Sequence, residues 1–358
     1  MSFSLGQNPL MTKRLLAGFC FLAVLCAYCP APARADNDSN PPLSRFTFTE
    51  PHMGTRFKII VYARDESAAK SAVKAAFQRI ADLDDIMSDY HATSELMRLC
   101  QKGVGEPVPV GDDLFRVLEK SQELAKISDG AFDVTVGPVI RLWRKARKTH
   151  QLPDPKELAQ ARELVGYDKV RLDAKNRTVQ LMKPDMRLDL GGIGKGYAAD
   201  AALSVLKDHG INQALVAASG DIAVSGPPPG TDGWTIGIAP LEDPDAKPER
   251  YLILHDAAVS TSGDSEQYVE IDGKHYSHIV DPRTGIGLVG RMSVTVVATH
   301  GIIADPMTKV VSVLGPERGL TLIDATEGAA ALVVRKTDKG IETVESKGFK
   351  NLKQKGTR

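Results

Sequence analysis

Apolar positions along this chain change period several times, and each change marks an element. Arg45 to Tyr62 alternates polar and apolar residues and predicts one or two strands about a turn at Met53-Gly54-Thr55. From Asp65 to Met87 the set Ala69, Val73, Ala76, Ile80, Leu83 and Met87 keeps steps of three and four, the signature of an amphipathic helix. A second helix is predicted from Asp112 to Ile127, punctuated by Gly130. Pro138–Lys148 is a short basic stretch of helical character, and Lys156–Leu164 is a further helix ended near Gly166. Beyond Tyr167 the period shortens. Lys169–Asp173 and Arg177–Met182 read as a hairpin, Arg187–Leu190 as a short strand, and Tyr197–His209 as a helix after a glycine cluster. Strands follow at Ala214–Ala218, Trp234–Ile238, Tyr251–His255, Gln267–Ile271, His275–Val280, Met292–Ala298 and Ala329–Arg335, with a helix over Ile303–Leu314. Asp272-Gly273 is a hairpin turn signal. With helices concentrated in the first half and strands in the second, the pattern predicts an α+β fold with one intertwined core.

Composition adds bounds. The 358 residues include 45 basic and 45 acidic side chains, 42% hydrophobic and 25% charged positions. These ordinary values exclude wholesale disorder, a collagen-like repeat and a polytopic membrane protein, and the lack of a basic surplus gives no sign of nucleic-acid binding. Residues 1–35 stand apart. Lys13 and Arg14 precede an apolar run from Leu15 to Cys29, and Ala33-Arg34-Ala35 follows as an A-x-A site, the pattern of a secretory signal. A retained anchor is the alternative, although the run falls short of the ~20 residues that span a bilayer. None of Cys20, Cys26 and Cys29 follows a small residue, which argues against a lipoprotein. Removing this segment deletes three basic residues and no acid, which shifts the formal charge from zero to −3 and leaves Cys100 as the sole cysteine. The expected product is an exported protein, periplasmic or on the outer face of the inner membrane, without a disulfide framework. Its expected parts are a polar tether (36–43), a folded domain (44–345) and a basic, frayed tail (346–358).

The glycine cluster Asp189-Leu190-Gly191-Gly192-Ile193-Gly194-Lys195-Gly196-Tyr197 lies between a predicted strand and a helix, where free N–H groups and the helix dipole favour phosphate. Gly194, Gly196 and Ala199 match G-x-G-x-x-A, but the charged preceding strand is unlike a buried dinucleotide-binding strand. A phosphate cradle and a tight strand-to-helix turn both remain open. A second cluster, Tyr276-Ser277-His278-Ile279-Val280-Asp281-Pro282-Arg283-Thr284-Gly285, puts His278 at a strand end, where it is either a general base or a hydrogen-bonded core residue. Gly130-Ala131-Phe132-Asp133 and Ser260-Thr261-Ser262-Gly263-Asp264 read as turns, and Asp305 as a helix cap or a ligand for a hard cation. The basic run Arg141, Arg144, Lys145, Arg147 and Lys148 reads as a solvated helix face rather than a partner or headgroup contact.

Met53-Gly54-Thr55, Ser88-x-Tyr90, Gly130-Ala131-Phe132-Asp133, the glycine cluster, Thr261-Ser262-Gly263, the His278–Gly285 run and Ala304-Asp305 occur in the order found in ApbE-type FAD:protein FMN transferases. The chain resembles that family from about Arg45 to Leu332. The resemblance implies a single T-fold-like α+β unit with mixed or antiparallel sheets and packed helices. It implies FAD as substrate, with Mg2+ bridging its pyrophosphate. The acceptor would be a membrane-associated redox protein carrying a reactive threonine or serine. By the same resemblance, Met53 and Tyr90 would contact the isoalloxazine, and Ala131, Phe132 and Asp133 the adenosine end. Asp189, Lys195, Ile279 and Thr308 would also hold FAD. Gly192, through its carbonyl, and Asp305 would ligate the metal, and His278 would take the acceptor proton.

One position departs from the pattern. The family carries a threonine metal ligand four residues after the aspartate; here Asp305-Pro306-Met307-Thr308-Lys309 places Lys309 there. Three readings stand: Thr308 ligates the metal instead, the Lys309 ammonium stands in for the cation, or the chain binds FAD and transfers it poorly. A smaller departure is Ala218-Ser219-Gly220-Asp221, where the family more often has an Asn-x-Gly-Gly sequence. An FAD pyrophosphatase releasing FMN and AMP and a non-catalytic FAD-binding protein are the rival functions.

Overall fold

The computed structural model describes residues 42–355 apart from 103, 244–245 and 264–267; the expected leader (1–35) and residues 36–41 of the expected tether lie outside the described residues. The alternating segment is a hairpin of β1 (Ser44–His52) and β2 (Thr55–Ala63), turned by Met53 and Gly54 at φ 49° and 69°. Both residues lie in the left-handed region, where an αL pair matches the twist of the strands. α1 (Glu66–Met87) begins at Asp65, whose carboxylate accepts from the Ala68 N–H, and buries the whole predicted stripe from Ala69 to Met87.

Next come α2 (Glu95–Lys102), β3 (Val108–Pro109), α3 (Asp112–Ile127), α4 (Gly137–Thr149), α5 (Pro155–Arg162), β4 (Val170–Asp173) and β5 (Thr178–Leu181). α6 (Gly194–Asp208) is followed by β6 (Ala214–Ala218), β7 (Asp221–Val224), β8 (Trp234–Ile238), β9 (Arg250–Leu254), β10 (Ala257–Gly263), β11 (Tyr268–Ile271) and β12 (Lys274–Asp281). The chain closes with β13 (Ile286–Val289), β14 (Met292–Ala298), α7 (Gly301–Ala325, interrupted at Gly315), β15 (Ala330–Thr337), β16 (Gly340–Glu345) and β17 (Gln354–Lys355).

An eight-stranded antiparallel sheet in the order β1-β2-β6-β7-β10-β14-β15-β16 unites strands from both halves of the chain. The fold is therefore α+β with one intertwined core, as the pattern predicts. Its two faces follow from the two-residue period of a strand. On β2, Phe57, Ile59 and Val61 point into the cluster made with α1, α6 and α7, whereas Ile60 points into an opposite cluster with Trp234, Ile236, Leu252 and Phe349. A smaller cluster joins Val139, Trp143 and Ala146 of α4 to Val269, Tyr276 and Val280 of the β11-β12-β13 sheet. The Trp143 indole N–H donates to the Gly285 carbonyl at 2.8 Å, which ties α4 to the turn after β12.

Several expectations are corrected. Arg187–Leu190 is extended but belongs to no sheet. The Asp189 N–H donates to the Val134 carbonyl at 2.8 Å and the Leu188 N–H to Cys100 Sγ at 3.4 Å, so the segment threads between loop and helix. The tail expected to fray is folded through Lys355: β17 pairs with β9, and Phe349 is 0% exposed. Its basic composition hid two apolar anchors, buried Phe349 and half-buried Leu352. Residues 260–263 are the end of β10, not a turn; small Ser, Thr and Gly side chains there mask a strand whose two faces are both covered. Asp133 opens a 3-10 turn over Val134–Val136. α6 starts at Gly194, three residues before the expected Tyr197, and α7 runs past Leu314.

Candidate active site

A cleft of about 1340 Å³ is lined by strand ends of the large sheet, by the end of β8 and the segment after it (Ile236–Leu241), by β12 and by the loops before α2, α4 and α6. It exceeds the ~300–1,000 Å³ of ordinary small-molecule pockets. Met53, Tyr90, Ala131, Phe132, Asp133, Asp189, Gly192, Lys195, His278, Ile279 and Lys309 all line it. Residues from the turn of the first hairpin, the loops before α2, α4 and α6, the start of α6, the third turn of α7 and β12 thus converge, although they are far apart in sequence. Asp305 and Thr308 are 0% exposed and lie beneath the cleft wall.

The rim at one end is aromatic and charged. Tyr90 is 74% exposed, and the Arg144 guanidinium lies 4.4 Å from its ring centroid. Arg144 also binds Asp89 and, at 2.9 Å, Asp189, whose other oxygen accepts from the Gly191 N–H at 2.8 Å. Burial, reinforced by Asp89, holds the Asp189 carboxyl above the usual range despite Arg144. Arg144 and Arg147 line the cleft with Ile140. The solvated-face reading of this basic run therefore holds only for Arg141, Lys145 and Lys148, which are exposed. The steps of four and three from Ile140 to Arg144 to Arg147 were the signal that these side chains share one inward face. Met53 is fixed by its N–H donating to Asp84 Oδ2 at 3.0 Å. Asp133 accepts from the Thr135 N–H at 2.8 Å and the Thr135 hydroxyl at 2.7 Å, so it caps its turn while facing the cleft.

At the glycine cluster the backbone is largely committed. The N–H groups of Gly191, Ile193, Gly194 and Gly196 donate to Asp189, Leu190, Leu190 and Asp305 respectively. Gly194, Gly196 and Ala199 lie inside α6, and no paired strand precedes them, so the dinucleotide fingerprint has no structural counterpart. Gly196 is small for another reason: a Cβ there would stand 2.2 Å from the Gly301 carbonyl oxygen and 2.8 Å from Asp305 Cβ. The close approach presses the first turn of α6 against the first turn of α7.

That contact builds a charged wall. The Lys195 ammonium binds Asp221, which also accepts from the Ser260 hydroxyl, and stands 4.0 Å from Asp305 Oδ2. The Lys309 ammonium binds Asp305 Oδ1 and lies 3.1 Å from the Asp305 carbonyl. Burial alone would lower the Lys195 pKa, but Asp305 and Asp221 reverse this and raise it. Burial would likewise raise Asp305, and Lys195 and Lys309 reverse it, holding the carboxyl below its usual range. Asp221 and Ser260 were not assigned to the site from sequence, because their partner lies in another element.

The Mg2+ implied by the resemblance does not fit this donor set. Both Asp305 oxygens already accept, Oδ1 from Lys309 and Oδ2 from the Gly196 N–H at 3.1 Å. Thr308, the substitute ligand, donates its hydroxyl to the Asp305 carbonyl at 2.7 Å and shares a 2.7 Å hydrogen bond with Ser262. Among the described residues no group of three or more His, Cys, Asp or Glu side chains is placed to hold a metal ion.

Comparison with known proteins gives one family. The sequence model of the ApbE family matches residues 53–333. A Klebsiella pneumoniae protein named FAD:protein FMN transferase is 31% identical over 293 residues, 81% of this chain and 89% of its own length. A Haemophilus influenzae protein of the same name is 32% identical over 310 residues, 84% of this chain and 89% of its own. The solved structure of the flavin transferase ApbE from Vibrio cholerae superimposes with a TM-score of 0.78 at 30% identity, covering 87% of this chain and all of that one.

Proposed function

The chain belongs to the ApbE family, and we propose that it is an exported FAD:protein FMN transferase that moves FMN from FAD to a threonine or serine hydroxyl of a target redox protein, with release of AMP. The observation that carries this reading is the single cleft that combines an exposed aromatic face at Tyr90, the Lys195–Asp305–Lys309 wall and His278. The leader pattern in residues 1–35 supports action outside the cytoplasm.

The reaction is a phosphoryl-type substitution, in which positioning and charge neutralisation contribute most of the rate. The isoalloxazine packs on Tyr90, whose ring is held by Arg144. Lys195 and Lys309 face the pyrophosphate and offset the negative charge that grows on it. The acceptor hydroxyl oxygen attacks the phosphorus of the FMN half. The bond from that phosphorus to the bridging oxygen breaks, the oxygen leaves with AMP, and the imidazole of His278 takes the hydroxyl proton.

The test is incubation of the protein with FAD and a flavin-acceptor domain, following AMP by chromatography and the acceptor by mass spectrometry. Transfer yields AMP and an acceptor heavier by one FMN less water. Free FMN and AMP with an unmodified acceptor would identify a pyrophosphatase, and FAD bound but unchanged a binding protein.

A further inference from the structure

We propose that the Lys309 ammonium is a built-in cation that takes the place of a divalent metal, so that this chain binds FAD and transfers FMN without a metal ion. The inference rests on the transferase reading and concerns the same cleft.

Position is the first argument. Lys309 spans the space between Gly192 and Asp305: its Cε lies 3.7 Å from where a Gly192 Cβ would stand, and its Nζ sits on the Asp305 carboxylate. Those two residues are the ones between which a bridging cation was expected, and a lysine side chain fills the gap. Access is the second argument. Asp305 is 0% exposed, whereas the Lys309 side chain keeps 15% of its surface and lines the cleft. A ligand therefore meets the ammonium before the carboxylate.

Charge is the third. A divalent ion at Asp305 would sit beside two ammonium groups, since Lys195 Nζ is 4.0 Å from the same carboxylate. Like charges gathered on one carboxylate in a partly buried site repel strongly. A small hard cation also demands several oxygen ligands at ~2.0–2.1 Å, and the nearby hydroxyl of Thr308 is already committed on both sides. A pyrophosphate meets the opposite situation. Four N–H groups of the glycine cluster are spent inside the protein, and the positive charge at this wall comes from Lys195 and Lys309, which can share their protons between carboxylate and phosphate oxygens.

The experiment titrates FAD into the full chain by calorimetry, in EDTA and in magnesium, for the wild type, Lys309→Met and Lys309→Arg, with AMP release recorded beside an acceptor domain. The wild type is expected to bind FAD equally in the two buffers, within about twofold, and Lys309→Met to bind about 10- to 100-fold more weakly in both, the loss of one charge-assisted hydrogen bond. Lys309→Arg is expected to retain most of the affinity in EDTA. A wild-type affinity that collapses in EDTA and returns with magnesium would overturn the proposal, whether or not the variants fold. So would wild-type FAD binding by Lys309→Met in EDTA. EDTA-insensitive FAD binding with no AMP in either buffer would sink the transferase reading and leave the cation assignment standing. No FAD binding in either buffer would sink both.

Discussion

Lys195 and Asp305 illustrate how single residues are tuned here by partners from other elements. Asp305 is fully buried yet held ionised by two ammonium groups, while Asp133, Asp189 and Asp200 are pushed the other way by burial. The two sets have opposite linkage. Asp305 contributes stability above the unfolded carboxylate value of ~3.9, which is lost as pH falls through its lower folded value. A raised carboxyl such as Asp189 costs stability at neutral pH, a cost removed as pH falls through its raised value. The stability of Asp189→Asn relative to wild type is therefore expected to fall as pH drops from 7 toward ~4, because the wild type sheds its burial cost over that range. A constant difference across that range would refute the assignment. His278→Ala is expected to keep FAD affinity within a few-fold and to lower the rate of AMP release by ~10²–10⁴, the span of general-base removal. Calorimetry beside a single-turnover assay separates the two effects.

The crossing of α6 and α7 is the element on which the site depends. Three contacts lock their first turns together. Gly196 and Gly301 touch backbone to backbone, the Gly196 N–H donates to Asp305, and the Asp200 carboxylate accepts from the Gly301 and Ile302 N–H groups at 2.7 and 2.9 Å. The last is a helix cap supplied by a neighbouring helix. Because Lys195 rides on α6 and Lys309 on α7, the spacing of the two ammonium groups is set by this crossing. Gly196→Ala drives a methyl into backbone atoms that have nowhere to move. It is expected to cost about 1–3 kcal/mol in urea unfolding, the range for overpacking, and to weaken FAD binding by separating the lysines. An unchanged unfolding midpoint would show that the helices slide apart freely.

For the whole molecule, a two-faced sheet does the organising. One face carries the helices that build the charged wall; the other is covered by β8 and β9, with Phe349 wedged among them. The C-terminal segment is thus structural. Phe349→Ala is expected to destabilise the fold by about 3–5 kcal/mol, as for other fully buried aromatic truncations, without altering FAD affinity in the molecules that remain folded. Equilibrium denaturation checks the first part and titration at low temperature the second. The β11-β12-β13 sheet, seated on α4 through Trp143, carries His278 in the cleft lining.

What the sequence determined by itself was local. The periodicity of α1 and α3, the alternation of β1, β2 and β14 and the Asp272-Gly273 turn were legible because backbone sterics and amphipathic burial act over a few neighbouring residues. The ordered motifs also named the family. Tertiary structure alone decided what the charged residues do. Asp221 reaches Lys195 across 26 positions of chain, Ser260 reaches Asp221 across 39, and Arg144 reaches Asp189 across 45. Phe349 turned a basic tail into a sheet edge, and β10 hid its pairing behind small polar side chains. A charge or a buried ring has its energy set by whatever surrounds it in space, and a linear pattern records only what surrounds it along the chain.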